Sequence, residues 1–311
     1  MEKLLYITLE EPIDEKNTGV VKKINSQCEV LMRNNFDVII SGYGKEGNYI
    51  VMKNNKVIDT LKLKDNILKN KGVFDFLSNF IIKNKIRKVY IRRFRATLFS
   101  INFFNSIKKE GVEIFMEIPT YPYDGEVKGL KSKIGLLLDK FFRSQYKNYV
   151  SRIITYSQDD SIFGIKCINI SNGINLKDVV EKQNISPKSN HLYEFISVSS
   201  MCRWHGIDRF LNGIEKTHNI IFHIVGPKNS YYDELFNIVK NKGLEDKVIF
   251  HGFLGHEQLA EVYKKCHIAI GSLGRHRSGI DSLSSLKNRE YIAKGLPIVY
   301  SENDRDFDNE G

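Results

Sequence analysis

The strongest constraint on this chain is a rhythm. Short apolar runs alternate with helix-length polar segments, and the pattern occurs twice. In the first half the strand candidates are Leu4–Leu9, Asp37–Ile40, Lys88–Arg92, Val112–Ile118 and Arg152–Tyr156. Helical segments are expected near 20–34, 74–85, 100–110 and 130–150, and residues 48 to 60 are ambiguous, with a hairpin among the options. The second half offers strands at Tyr193–Ser199, Ile220–Val225, Lys247–His251, His267–Gly271 and Pro297–Tyr300, with helices near 206–217, 229–243, 256–266 and 284–294. Strands separated by helices argue for βαβ units and parallel sheets, hence an α/β chain of two doubly wound units. The stretch Asn175 to Asn190 is polar and lacks aromatics, so it reads as a linker between domains 1–180 and 181–311. Two such units in tandem imply a ligand cleft between the carboxyl ends of their sheets.

Composition narrows the class. The 311 residues are 41% hydrophobic and 27% charged, as in soluble globular proteins, and are enough for two real cores. No apolar run approaches the roughly 20 residues that span a bilayer. The N-terminus lacks the apolar stretch and small-residue cleavage site of a signal peptide. Cys28, Cys167, Cys202 and Cys266 show no C-x-x-C spacing, which favours free thiols in a cytoplasmic protein over zinc or disulfides. The net charge of +10 calls for anionic partners. Nucleic acid, an anionic membrane surface and a diphosphate substrate all qualify, because lysine is spread along the whole chain. No zinc finger, RNP aromatic signature or basic zipper is visible, which disfavours nucleic acid.

Chemistry concentrates near the end, in Ser284-Ser-Leu-Lys-Asn-Arg-Glu-Tyr-Ile-Ala-Lys-Gly-Leu-Pro-Ile-Val-Tyr-Ser301. This reads as a short helix feeding a buried strand. The serines at its start can accept from first-turn backbone N–H groups, and Gly295 with Pro297 supplies the stop. Lys287, Arg289 and Glu290 sit near the positive end of the helix dipole. A helix terminus with cations suits phosphate, and a carboxylate can accept from a ribose diol. The plain alternative is a solvated helix with a Glu290–Lys294 pair contributing about 0.2–0.5 kcal/mol.

Lys287-x-x-Glu-Tyr-x-Ala-x-Gly-x-Pro297, ahead of an apolar strand, resembles the donor-site signature of the retaining nucleotide-sugar glycosyltransferases of family 4. That family has the GT-B architecture, two Rossmann-like domains flanking a cleft, and the resemblance implies that Glu290 holds the donor ribose. Other stretches resemble the family in the same order. Ile170-Ser-Asn-Gly-Ile-Asn175 is similar to the stretch before the second domain. The segment Ile196 to Arg209, with its Trp204-His-Gly-x-Asp-Arg209, is similar to the first strand–loop–helix of the donor domain in capsule and lipopolysaccharide assembly members. Ile224-Val-Gly-Pro227 and Lys247-Val-Ile-Phe-His-Gly-Phe253 follow suit. The resemblance covers about residues 150 to 311.

Departures from the family are equally informative. Family members place Gly-Arg and Lys-Gly where this chain has Ser199-Ser200 and His205-Gly206, so Arg203, Lys287 or Arg289 is expected to supply the missing phosphate charge. The family's first Glu, eight residues before the ribose Glu, is Ser282 here, beside Asp281. Gly271-Ser-Leu-Gly-Arg-His-Arg277 offers Arg275 and Arg277 after a strand, either as a phosphate loop or as an ordinary surface loop. Donor contacts are therefore expected at Gly19, Ser200, Arg203, His205, Arg275, Arg277, Ser282, Lys287, Arg289 and Glu290.

In the first domain, Thr18-Gly19 resembles the glycine loop after the first strand. Glu117-Ile-Pro-Thr-Tyr-Pro-Tyr-Asp-Gly-Glu126 is an aromatic, acidic, proline-stiffened loop, and Glu117, Tyr123, Asp124 and Glu126 are the candidate catalytic groups. The basic, apolar segment Lys128 to Arg152 is either a core helix with a solvated face or a helix lying on an anionic membrane. The chain ends eleven residues past Tyr300, without the further helices of the family, and so is expected to be shortened. The expected function is retaining, metal-independent hexosyl transfer with no cofactor, from a nucleotide diphospho-sugar (UDP above all) to a surface glycan or lipid-linked saccharide. The expected place is the cytoplasm, with possible contact at the inner membrane face. A catalytically silent subunit supporting a partner transferase is the main alternative, with a nucleic-acid-binding protein and a GT-B epimerase behind it.

Overall fold

Both faces of the first strand are apolar, and in the computed structural model it lies in the middle of a sheet. The structure describes residues 1–12, 19–63, 69–126, 129–176, 179, 192–280, 282–304 and 306–307. The chain divides into two units, Met1–Ile170 and Ser171–Gly311. Most of the Asn175–Asn190 segment, Thr18 and Asp281 lie outside the described residues.

In the N-terminal unit β1 (Glu2–Ile7) pairs in parallel with β2 (Phe36–Tyr43) and β5 (Lys88–Arg92). Leu4 to Ile7 are all buried, as a central parallel strand requires. The hairpin of β3 (Asn48–Lys53) and β4 (Lys56–Lys62) extends the β2 edge. Its turn residues Asn54 and Asn55 both have positive φ, the backbone a tight hairpin needs and asparagine tolerates. On the other side follow β6 (Glu113–Ile118), β7 (Arg152–Thr155) and β9 (Ile165–Asn169), closed by the short antiparallel β8 (Ser161–Ile162). Helix α1 (Gly19–Arg33) covers one face, packing Ile24 and Cys28 on Leu4, Tyr6 and Val38. Helices α2 (Lys69–Lys83) and α3 (Leu98–Lys109) cover the other, with Leu77, Ile81 and Phe104 in the larger core. The long helix expected over 130–150 is shorter. Helix α4 (Leu130–Arg143) tightens into a 3₁₀ turn over Ser144–Asn148, which carries Tyr146 into the core at 1% exposure.

The C-terminal unit is built on an all-parallel sheet of β10 (Tyr193–Val198), β11 (Ile220–Val225), β12 (Val248–Gly252), β13 (Ile268–Ile270) and β15 (Ile298–Val299). Across the sheet they lie in the order β12-β11-β10-β13-β15. Helices α5 (Ile207–Gly213) and α6 (Ser230–Asn241) build one core layer around Leu211, Phe222 and Leu235. Helices α7 (His256–Lys265) and α8 (Leu286–Ala293) build the other around Ile196, Tyr263 and Tyr291. A two-strand pair, β14 (Ser282–Leu283) with β16 (Asn303–Asp304), brackets α8. Strand order reverses between β10 and β13. The loops leaving their carboxyl ends therefore diverge at a switch point, where open α/β sheets bind ligands. No described helix is long and apolar enough to cross a membrane.

Candidate functional site

The two switch-point loops are locked backbone to backbone. After β10 the chain runs through Ser199–Gly206, and after β13 through Gly271–Gly279. Leu273 N–H donates to His205 O at 2.9 Å. Gly206 has φ +66°, and a Cβ there would lie 2.6 Å from Gly274 N, so only glycine permits both the turn and the approach. Arg277 clamps the pair: its guanidinium meets both Asp208 oxygens at 2.8 Å and donates to Arg203 O at 3.0 Å.

His205 is the junction. Its Nε2 lies 3.2 Å from Ser200 Oγ, and its Nδ1 lies 3.4 Å from Ser272 Oγ and 3.3 Å from Lys287 Nζ. Burial, with Lys287 and Arg275 as neighbours, holds the imidazole well below its usual range, so the ring is neutral at pH 7. Nδ1 then accepts from the lysine, and Nε2–H donates to Ser200. Burial likewise lowers Lys287 to about 8; nearby Glu302 opposes that shift and Arg275 adds to it. Glu302 is 5% exposed with its carboxyl pushed up by burial, and among the described residues Oε2 has no hydrogen-bond partner. The cluster is thus a neutral histidine and a poised lysine at the start of α8, where the helix dipole already favours anions.

The other expected donor residues divide sharply. Arg289 turns away from the loops into a carboxylate trap. It pairs with Asp304 through both nitrogens and with Asp306, and donates to Ser285 O at 3.0 Å. Arg203 pairs with Glu234 at 2.7 Å. Arg275 is 9% exposed, its guanidinium 5.7 Å from the Trp204 ring centre. Ser282 pairs with Asn303 in the β14–β16 ladder. Glu290 is half-buried on α8, and among the described residues no hydrogen bond or ion pair reaches its carboxylate; the Glu290–Lys294 pair of the plain alternative is not among the described ion pairs. Lys294 instead lies over the Tyr263 ring at 4.8 Å. The serine cap also differs from expectation: Ser285 makes no side-chain cap bond. Ser284 Oγ accepts from Asn172 N–H at 2.8 Å and donates to Asp306 at 2.7 Å, tying the Ser171–Asn175 stretch to the α8 start. Sequence reasoning missed Ser272, Glu302 and Asp304. The alternating carboxylates Glu302, Asp304 and Asp306, opposite Lys287 and Arg289, were the available signal.

In the N-terminal unit, Glu117 is fully buried near the carboxyl end of β6. It accepts from Tyr90 Oη at 2.7 Å, Gln27 Nε2 at 2.9 Å and Arg92 at 3.4 Å, and Lys23 Nζ lies 3.6 Å away. Gln27 Oε1 in turn accepts from Tyr6 at 2.7 Å, and Lys23 sits over the Tyr156 ring at 3.6 Å. Burial depresses Lys23 to about 8 despite Glu117. Lys23 and Gln27 share one face of α1, so this network fixes the helix whose first residue is Gly19. Tyr123 donates to buried Asp139 at 2.7 Å, accepts from Arg143 at 3.1 Å and lies beneath the Arg93 guanidinium at 3.4 Å. Asp124 pairs with Lys140 at 2.9 Å and Arg143 at 3.0 Å, which hold its carboxyl below the usual range against the effect of burial. Both residues fasten α4. The Glu126 side chain lies outside the described residues.

The two α/β units match known structures over nearly all of this chain. Sucrose-phosphate synthase from Thermosynechococcus elongatus superposes at TM-score 0.71, with 13% identity over 97% of this chain and 82% of that one. A glycosyltransferase from Rickettsia africae gives 0.64, with 14% identity, covering 96% of this chain and 79% of that chain. The fold is GT-B. Anabaena HepE in complex with UDP shares it at TM-score 0.58 and 12% identity, over 97% of this chain and 81% of that one. Residues 179–304 of this GT-B chain match the family described as glycosyl transferases group 1, a span containing both switch-point loops and α8. No curated protein matches the sequence significantly.

Proposed function

We propose that the chain is a glycosyltransferase that takes a sugar, with retention and without a metal, from a nucleotide diphospho-sugar such as a UDP-sugar, and passes it to a saccharide or lipid-linked saccharide of a surface glycan. The observation that carries this reading is the meeting of His205, Ser272 and Lys287 at the switch point, inside the segment matching the group 1 family. Ser200, the backbone of the 271–279 loop and the α8 terminus receive the diphosphate, and Lys287 neutralises it as the leaving group departs. Arg275 is the second cation of this group. Glu290, whose carboxylate meets no hydrogen-bond partner among the described residues, accepts from the ribose hydroxyls. The UDP bound by HepE supports the choice of nucleotide.

Arg203, Arg277 and Arg289 are assigned to loop and helix anchoring, because each already holds a carboxylate of the protein. In the acceptor-side unit, Glu117, Tyr123 and Asp124 are positioning residues for α1 and α4, and Gly19 is the first residue of α1.

A second reading has its own support. With Ser282 in the family's sugar-contacting position and three of the expected cations internally paired, the unit can bind a nucleotide without turning it over, as a silent subunit would. Incubation of the purified chain with a panel of UDP-sugars separates the two. Release of UDP, with a product of retained anomeric configuration, supports the enzyme. UDP binding without release from any donor selects the silent subunit, and absence of UDP binding removes both.

A further inference from the structure

The outward face of α4 is built for something other than water. Ile134, Leu137, Leu138 and Phe141 are 53, 67, 51 and 70% exposed. Their spacing places them on one arc of about 100°. Leu136 and Phe142, by contrast, pack on the N-terminal core. The helix cannot roll to hide the exposed set, because Asp139, its only carboxylate, is 1% exposed on the inner side. There it accepts from Ala96 N–H at 2.6 Å and Tyr123 Oη at 2.7 Å, and pairs with Arg93 at 3.2 Å. Turning α4 by one face would bury Phe141 at the cost of stripping that carboxylate of its partners, which is the larger penalty.

The charge beside the apolar arc has one sign. Lys133, Lys140 and Lys147 are exposed along the same flank of the helix and its 3₁₀ extension. The exposed Arg95 lies over Gly135, its guanidinium 2.5 Å from where a side chain would begin. Asp124, beside the helix, is already paired with Lys140 and Arg143. An apolar stripe with a cationic flank and no exposed acid on the helix is complementary to an anionic lipid surface. Aromatic and leucine side chains enter the headgroup–acyl boundary, while the lysines reach lipid phosphates.

We propose that α4 docks the protein on anionic bilayers through Ile134, Leu137, Leu138 and Phe141, with Lys133, Lys140, Lys147 and Arg95 as its electrostatic rim. This surface lies wholly within the N-terminal unit and stands independently of the nucleotide-site reading. Such a patch binds reversibly and is sensitive to salt.

The test is co-sedimentation of the full chain with vesicles of phosphatidylcholine alone or mixed with phosphatidylglycerol, at low and near-physiological salt. The expected result is at least about tenfold tighter binding to the anionic vesicles, weakened by salt, by Leu137→Asn/Phe141→Asn and by Lys133→Glu. Thermal unfolding of the variants should match the parent, since every altered side chain is exposed. Equal binding to both vesicle types, no binding, or full binding by the double variant would overturn the proposal. So would a dimer that the double variant converts to monomer without any vesicle binding, which would give this face to a second copy of the chain.

Discussion

Lys287 Nζ lies 3.3 Å from His205 Nδ1, a contact that two protonated side chains cannot make. One proton is absent, and burial with two flanking cations removes it from the histidine. Lysine therefore donates to a neutral imidazole, and the pair presents a single positive charge beside the α8 terminus. This is economical electrostatics for a site that waits for an anion.

Nucleotide affinity should depend on pH through Lys287. In the free protein its pKa is lowered to about 8, and a bound diphosphate raises it. Below about 8 the lysine is already charged and affinity is at its plateau. Above it, binding must first take up a proton, so affinity falls by up to about tenfold per pH unit. Calorimetry of UDP binding in buffers of different ionisation enthalpy checks both the fall and the proton uptake. A flat affinity between about pH 7 and about pH 9.5 contradicts the assignment.

Arg289→Ala should act on stability. The substitution leaves fully buried Asp304 without its two-point partner, at a cost of about 3 kcal/mol in the C-terminal unit. Urea unfolding measures it. A variant as stable as the parent that nonetheless fails to bind UDP would return Arg289 to the ligand.

Glu117→Gln should loosen the N-terminal unit, since Lys23 and Arg92 would face each other across a neutral amide. About 3 kcal/mol is expected for breaking a buried charge network of this kind. Hydrogen exchange in α1 is the local readout, and unchanged protection there would argue against Glu117 as the anchor of that helix.

Gly206→Ala should disrupt the loop pair. The new Cβ would meet the Gly274 backbone at 2.6 Å from a left-handed conformation, so the two loops must separate. Weakened UDP binding with a native far-UV spectrum is expected. Wild-type affinity would show that the loop contact is dispensable to the site.

How much of this was written in the sequence depends on the residue. The strands Lys88–Arg92 and Ile220–Val225 stand where apolar runs placed them, because a central parallel strand is buried on both faces and shows an unbroken signal. The β8–β9 hairpin escaped notice: Phe163 and Gly164 make its turn, but β8 has only two residues, too few for a period. At the site, His205 and Lys287 were legible from the helix start and the departures around it. The fate of Arg289 was not, because the decisive carboxylates lie fifteen and seventeen residues further on, and only the β14–β16 ladder brings them back. Ion pairing that folds late in the chain hides which of several cations is left for a ligand. Glu117 shows the same limit in the first unit, where tyrosines from three separate strand regions close around one acid.

The most direct test of the account is calorimetric titration of UDP into the chain and into Glu290→Ala. The proposal gives Glu290 to the ribose, and losing a hydrogen bond from a charged acceptor costs about 1.5–3 kcal/mol, so affinity should fall by roughly 10- to 100-fold with stability unchanged. UDP binding of equal strength to both proteins would contradict the donor-site assignment.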